Sequence, residues 1–316
     1  MTTTAILIPA FKRVELLEKI LSNLPVDCLA RTTISLDFCP EKRSDYEKLK
    51  RIYSSAKFIF REERLGLVLN LVQSLNEIFA TADSCIVLED DILVDREVIE
   101  STTLLMTNPL PRDVFAICFF PGLNESRIMQ KFTTKNIWRR SKYFSPWGWA
   151  IERGKWKFVK TIIPIESEHQ YFERVVFSKM TFKESNVWLK RFERSLRNPL
   201  DALDTQIQYA AFAQKSFFLS PVFRSADNLG FSDKLATHTQ GSRPNWYRGN
   251  RCSKAIRGYN ESRFLEVTLE FWDSFTVAGV RKPPGFIVKS IVKSIVKTAK
   301  KFLEERSNKL AAASSK

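Results

Sequence analysis

Glu89, Asp90 and Asp91 are the residues with the clearest chemical potential, three consecutive carboxylates closing the apolar run Cys85-Ile86-Val87-Leu88. Adjacent acids repel one another unless something cationic sits among them. Hard oxygen ligands held at a strand end suit Mg²⁺ or Mn²⁺, which in turn bind phosphate. A solvated acidic turn is the plainer account of the same triplet. Two further carboxylates stand at places where chemistry could be done: Asp37, closing a second apolar run, and Asp204, within a helical stretch. The only histidines are His169, between Glu168 and Gln170, and His238. Arg61, Arg64 and Asn70 bracket Gly66, where a strand hands over to a helix and an anionic ligand could be met. Trp147 and Trp149 flank Gly148, so that ring faces could be offered to a ligand, or could equally be packed in a core.

The elements that must position these residues alternate. Ala5–Pro9, Thr32–Asp37, Lys57–Phe60, Cys85–Leu88 and Val114–Phe119 read as strands. Helical spacing runs through Val14–Leu24, Asp45–Tyr53 and Leu67–Phe79 between them, and later through Glu166–Phe177 and Leu203–Gln214. Such alternation predicts an α/β fold, with a mostly parallel central sheet flanked by helices. Ligands then collect beyond the carboxyl ends of the strands, where the triplet stands. Pro121–Phe144 carries few periodic signals and is expected to be a long functional loop. Thr237–Asn250, rich in Gly, Arg, Asn and aromatics, reads as an ordered or closing loop, whose Arg243 and Arg248 could fold over an anionic ligand or serve solubility alone.

Bulk properties agree with an enzyme-sized body. The chain has 316 residues, 44% of them apolar, with 25 Phe and only 10 Gly, and shows no internal repeat. The apolar run near Met1 is short and has no basic flank, so neither a signal peptide nor a membrane anchor is expected there. Five cysteines (28, 39, 85, 118 and 252) lack paired metal spacing, which fits reduced thiols in a cytoplasmic protein. The net charge of +15 points to an anionic partner. Residues 281–309 hold nine Lys or Arg against Glu304 and Glu305, 9 − 2 = +7, nearly half of that total.

Several segments, taken in order, resemble the GT-A fold glycosyltransferases that use nucleotide-sugar donors. Ile6-Leu7-Ile8-Pro9-Ala10 is similar to their first strand and its Pro, Asp37 to the carboxylate after the second strand, and Glu89-Asp90-Asp91 to their acidic metal motif. Ser145-Pro146-Trp147-Gly148-Trp149-Ala150 resembles the Trp-Gly-Trp-Ala segment of bacterial members. Asp204 with Gln206 and Tyr209 resembles their aspartate-bearing helix, and Asn228-Leu229-Gly230-Phe231 with Ala236-Thr237-His238-Thr239 a late motif. The resemblance spans roughly residues 5–240. It implies a GT-A catalytic domain over 1–280, with a donor half at about 1–120 and an acceptor half at about 121–250. It further implies Mn²⁺ or Mg²⁺ on Asp91 and His238, with Glu89 and Asp90 toward the donor ribose or bound water. Pro9, Ala10, Arg13, Asp37, Arg64 and Asn70 would complete the donor site, and Trp147, Gly148 and Trp149 the acceptor site.

The same resemblance implies transfer of a sugar to a glycan or glycolipid acceptor, as in bacterial lipopolysaccharide or capsule synthesis. Asp204 would be the base that takes the acceptor proton, giving inversion at the anomeric carbon; without a base there, retention stays open. Capping of a helix after Pro199 is the simpler role for Asp201 and an alternative for Asp204. From Ile287 to Leu303 the apolar side chains share one half of a helical circuit and the lysines the other. With residues 281–316 as a basic tail, this stretch suits an anionic membrane surface, hence a peripheral place at the inner membrane. Packing of the same helix on the protein's own core is the alternative. A nucleotidyltransferase would want glycines after the first strand, where Pro9-Ala10-Phe11-Lys12-Arg13 has none. A nucleic-acid-binding protein would leave the triplet without a role, and no nucleic acid is expected as partner.

Overall fold

The computed structural model of the chain describes residues 3–120, 138–162, 182–197, 203–221 and 223–232. Within them an eight-stranded sheet is built from β1 (Thr4–Ala10), β2 (Thr32–Leu36), β3 (Lys57–Phe60), β4 (Ser84–Val87), β6 (Val114–Cys118), β7 (Trp138–Ser141), β8 (Trp149–Glu152) and β9 (Phe217–Pro221). Its order is β3-β2-β1-β4-β8-β6-β9-β7. β1, β2, β3 and β4 pair in parallel, β8 runs against β4 and β6, β9 is parallel to β6, and β7 is antiparallel to β9. Six of the eight strands therefore point one way, as the strand–helix alternation predicts. A separate ribbon joins β5 (Ile92–Val94) to β10 (Ala226–Asn228), antiparallel.

Alternation along the central strands sorts apolar residues onto two faces. Ile6, Ile8, Ile86 and Leu88 face one core with α1 (Val14–Asn23), α3 (Arg43–Ile52) and α5 (Arg96–Leu105). A short α2 (Val26–Leu29) links that layer to β2. Leu7, Cys85, Val87, Phe115 and Trp149 face a second core. That core is covered by α4 (Gly66–Ile78), α6 (Arg153–Ile162) and α8 (Leu203–Ala213). A further helix, α7 (Phe182–Arg197), packs on α8 through Trp188, Phe192 and Phe212. Helices on both faces of a mixed sheet make a three-layer α/β fold.

One expectation is corrected. Trp138–Ser141, expected within a loop, forms the edge strand β7. Its two arginines hide its strand character in the sequence, yet Arg139 is fully buried and the backbone is satisfied by β9. The helix expected at Glu166–Phe177, the Thr237–Asn250 loop with Arg243 and Arg248, both histidines, Cys252 and the tail from 281 onward lie outside the described residues. Cys28, Cys39, Cys85 and Cys118 are buried free thiols. Among the described residues no helix is long and apolar enough to cross a membrane.

Candidate active site

β1 lies between β2 and β4, and the chain leaves it toward β2 while β4 flanks it on the other side. The strand order reverses here, and the crevice past the carboxyl ends of β1 and β4 is where an open α/β sheet accommodates a ligand. The turn Glu89-Asp90-Asp91 follows β4 at this place, and Pro9 to Arg13 follow β1. Two adjoining hollows open there, sharing Arg13, Leu67 and Glu89 on their common border. The larger, about 650 Å³, is lined by Pro9–Arg13, Asp37, Arg64, Leu67, Asn70, Glu89 and Asp90. The smaller, about 310 Å³, has Asp91, Asp204 and Asn228 among apolar walls that include Phe144, Trp147 and Ile207.

Arg13 dominates the electrostatics of the border. Its Nη2 lies 2.6 Å from Asp90 Oδ1 and its Nη1 2.5 Å from Asp91 Oδ2. The Phe11 N–H also donates to Asp90 Oδ2 at 3.3 Å. Asp90 and Asp91 are each only 3% exposed, so both charges depend on these partners. Burial pushes the Asp90 carboxyl up to about 6 against the pull of Arg13. Burial, then Asp91 and Asp90, push Glu89 up to about 8. Desolvation would lower Arg13, but Asp90 and Asp91 together hold it above its ordinary value.

The late segment arrives on the β5–β10 ribbon. The Leu229 N–H donates to the Asp91 carbonyl at 2.8 Å, and the Gly230 N–H to Asn228 Oδ1 at 2.8 Å. A Cβ on Gly230 would overlap Asp91 Oδ2 and reach 3.0 Å from Arg13 Nη1. Glycine is what lets this backbone close over the acids.

Other predicted donor residues meet there in different roles. Asp37 is 5% exposed and acts inward. Its Oδ1 accepts the N–H groups of Phe38 and Leu65, its Oδ2 that of Gly66, and Arg64 Nε lies 3.1 Å from the same Oδ2. The carboxylate thereby holds the start of α4, where Gly66 has φ +75°, and the N-terminal end of a helix favours such a charge. Arg64 also lies 3.5 Å over the Phe11 ring. Asn70 is fixed by Ser35 and Arg61: its Oδ1 accepts Ser35 Oγ at 2.6 Å and Arg61 Nε at 3.1 Å, and its Nδ2 donates to the Ser35 carbonyl.

The three predicted acceptor residues are placed unequally. Trp147 is half-buried beside the smaller hollow and packs edge-on against Phe120 and Phe231. Gly148 has φ +76°, and its missing side chain makes room for Phe119. Trp149 is 2% exposed, with Phe144 packed edge-on against it, so it borders the hollow from within the core and offers no open ring face. Asp204, exposed in the first turn of α8, lines the smaller hollow. Gln208, which the sequence reading passed over, ties this helix to the aromatic wall. Its Oε1 accepts the Phe144 N–H at 2.6 Å and its Nε2 donates to the Lys142 carbonyl at 2.9 Å. Buried glutamine in a helix carries no sequence signal by which that role could be found.

Among the described residues no three ligating side chains converge on one point. The acidic turn nonetheless suits a divalent cation: its donors are hard carboxylate oxygens, and a guanidinium stands between two of them as a stand-in positive charge. Magnesium-like ions often take only one or two protein carboxylates, leaving the remaining positions to phosphate and water.

No protein-family model matches the chain, and no curated protein matches it. Solved structures to which it is similar include the mannosyltransferase PcManGT from Pyrobaculum calidifontis in complex with GDP-Man and Mn²⁺. That likeness has 12% identity and a TM-score of 0.39, over 67% of this chain and 72% of that one. GalNAc-T7 with UDP, GalNAc and Mn²⁺ shows 13% identity and a TM-score of 0.43, over 79% of this chain and 46% of that one. A cytidylyltransferase from Leptospira borgpetersenii shows 11% identity and a TM-score of 0.35, over 57% of this chain and 72% of that one. Likenesses at this level leave the reaction to be argued from the residues of this chain.

Proposed function

We propose that the chain is a GT-A type glycosyltransferase, moving a sugar from a nucleotide-diphosphate donor to a hydroxyl of a glycan or glycolipid. The observation that carries this reading is the position of the acidic turn: Glu89 to Asp91 lie where two adjoining hollows meet, at the reversal point of a largely parallel sheet. The larger hollow, with Arg64 and the Phe11 ring on its wall, suits a nucleotide. The smaller, with Trp147 and Asp204, suits the transferred sugar and the acceptor.

In this reading the acceptor hydroxyl attacks the anomeric carbon, its proton passes to the Asp204 carboxylate, and the bond to the diphosphate breaks with its electron pair leaving on the phosphate oxygen. The configuration inverts. Arg13 and Asp90 orient the acidic turn, and the apolar walls of the smaller hollow exclude water that would otherwise hydrolyse the donor. Asp91 would hold Mn²⁺ or Mg²⁺, and bound there the ion would supply Lewis-acid stabilisation of the leaving diphosphate. His238, outside the described residues, is a further proposed ligand.

The test is calorimetric titration with UDP, GDP, CDP and dTDP, in Mn²⁺ and in EDTA, on the wild type and on Asp91→Ala. Binding of one diphosphate that needs metal and is lost in the variant supports the reading; a folded protein that binds none refutes it. Asp204→Asn should then keep donor binding and lose transfer by a factor of about 10²–10⁴. The basic stretch 287–303 is proposed to hold the enzyme on anionic membrane, so that full-length protein should sediment with phosphatidylglycerol vesicles and not with neutral ones.

A further inference from the structure

One guanidinium serves two carboxylates at the site's border, and that division of labour goes beyond donor binding as such. Nη1 and Nη2 of Arg13 each take one acid, Asp91 and Asp90. Among the described residues the ion pairs of Arg13 go to Asp90 and Asp91, and none reaches Glu89. The Arg13 backbone is anchored, since its carbonyl accepts the Leu17 N–H at 3.0 Å in the first turn of α1. The side chain is not anchored in the same way. It is 19% exposed on the border of both hollows, and among the described residues its side-chain hydrogen bonds and ion pairs go to the two carboxylates. Arginine binds phosphate in the same forked geometry with which it binds carboxylate.

We infer that Arg13 is an exchangeable counter-ion: it holds the cation position between Asp90 and Asp91 while the site is empty, and moves to the diphosphate once a divalent cation takes Asp91. The inference rests on the donor reading above. It assigns Arg13 two opposed effects on two ligands, which a mere structural brace would not have. As a competitor it weakens binding of the metal alone. As a phosphate partner it strengthens binding of the nucleotide with the metal. The site is thereby kept neutral enough to fold without metal, and a bare cation is discouraged from lodging there without its diphosphate.

The experiment reads Mn²⁺ binding by electron paramagnetic resonance of the free ion, on the wild type, Arg13→Lys and Arg13→Met. It is then repeated with UDP, GDP, CDP and dTDP in turn, circular dichroism checking that each variant is folded. Arg13→Met should bind Mn²⁺ alone about tenfold more tightly than wild type and a nucleoside diphosphate about tenfold more weakly. Arg13→Lys, whose single ammonium cannot span both acids, should fall between. Equal or weaker Mn²⁺ binding by folded Arg13→Met overturns the inference, as does tighter Mn²⁺ binding with nucleotide affinity unchanged. If Arg13→Met does not fold, Arg13→Lys decides by the same criteria. Failure of the donor reading looks different: the wild type then binds no nucleotide at all, while Mn²⁺ binding gained in the variants still supports Arg13 as the resident counter-ion.

Discussion

Gly230 and Asp91 approach so closely that a side chain of even one carbon on residue 230 would overlap a carboxylate oxygen. The contact joins residues nearly half the chain apart and is made through the β5–β10 ribbon. It couples the late segment to the acidic turn without any side-chain bond from residue 230. Gly230→Ala should therefore displace Asp91 and leave both cores alone. The expected result is at least tenfold weaker metal-dependent nucleotide binding in calorimetry, equivalent to about 1.4 kcal/mol, with the melting temperature little changed.

Asp37 should behave as a structural residue despite lining the larger hollow. Asp37→Ala strands the N–H groups of Leu65 and Gly66 at the start of α4 and leaves Arg64 without its acid. A loss of about 2–3 kcal/mol in urea denaturation is expected, with faster amide exchange at residues 65 and 66. Asp37→Asn keeps acceptor oxygen and should recover part of it. A stability unchanged by both substitutions would contradict this role.

Gly148→Ala combines two penalties. The backbone at φ +76° disfavours any side chain, and the added carbon would lie 2.7 Å from Cδ2 of the fully buried Phe119. Denaturation should show a loss of about 2–4 kcal/mol. The Trp147 fluorescence environment should change with it, because Phe120 beside Phe119 supports that ring.

The pH dependence of the metal-free protein follows from the raised carboxyls. Asp90, pushed up to about 6, and Glu89, pushed up to about 8, keep protons in the folded state that the unfolded chain has already lost. Where the folded state binds more protons, stability falls as pH rises. Their favourable contribution is complete below the ordinary carboxylate range and is lost progressively up to about pH 8. Melting should therefore drop by roughly 5 °C between pH 5 and pH 8.5. Saturating Mn²⁺ should flatten the profile by favouring the ionised carboxylates. A melting temperature that rises over this range would refute the assignment.

The first half of the sheet, β1 to β4, was legible because periodicity and burial coincide there. β1 to β4 and their helices have short apolar runs and amphipathic stretches of the lengths observed, and the triplet at the end of β4 announces itself by charge. The roles of individual side chains were less legible. Asp37 reads as a ligand-facing acid, yet its partners Leu65 and Gly66 belong to a turn whose direction is decided by a positive φ. Trp149 reads like Trp147, but Trp149 opens β8 and lies in the core, whereas Trp147 precedes the strand, across Gly148 at φ +76°, and is half-buried. β7 was hidden because its strand character depends on β9, which lies about 80 residues later, rather than on its own arginines.

Trp149 pairs across β8 with Val87 on one side and Cys118 on the other. The acidic turn begins two residues beyond Val87, and the aromatic wall precedes Trp149 directly. A slip of β8 by a single residue would invert Trp149 and carry Trp147 away from the acids in the same movement. The larger and the smaller hollow are thus indexed to one another by a single antiparallel rung, which works as the common ruler of the site. Inherited variation could reshape the walls freely on either side of that rung, but could not insert or delete a residue within it without uncoupling the two halves at once.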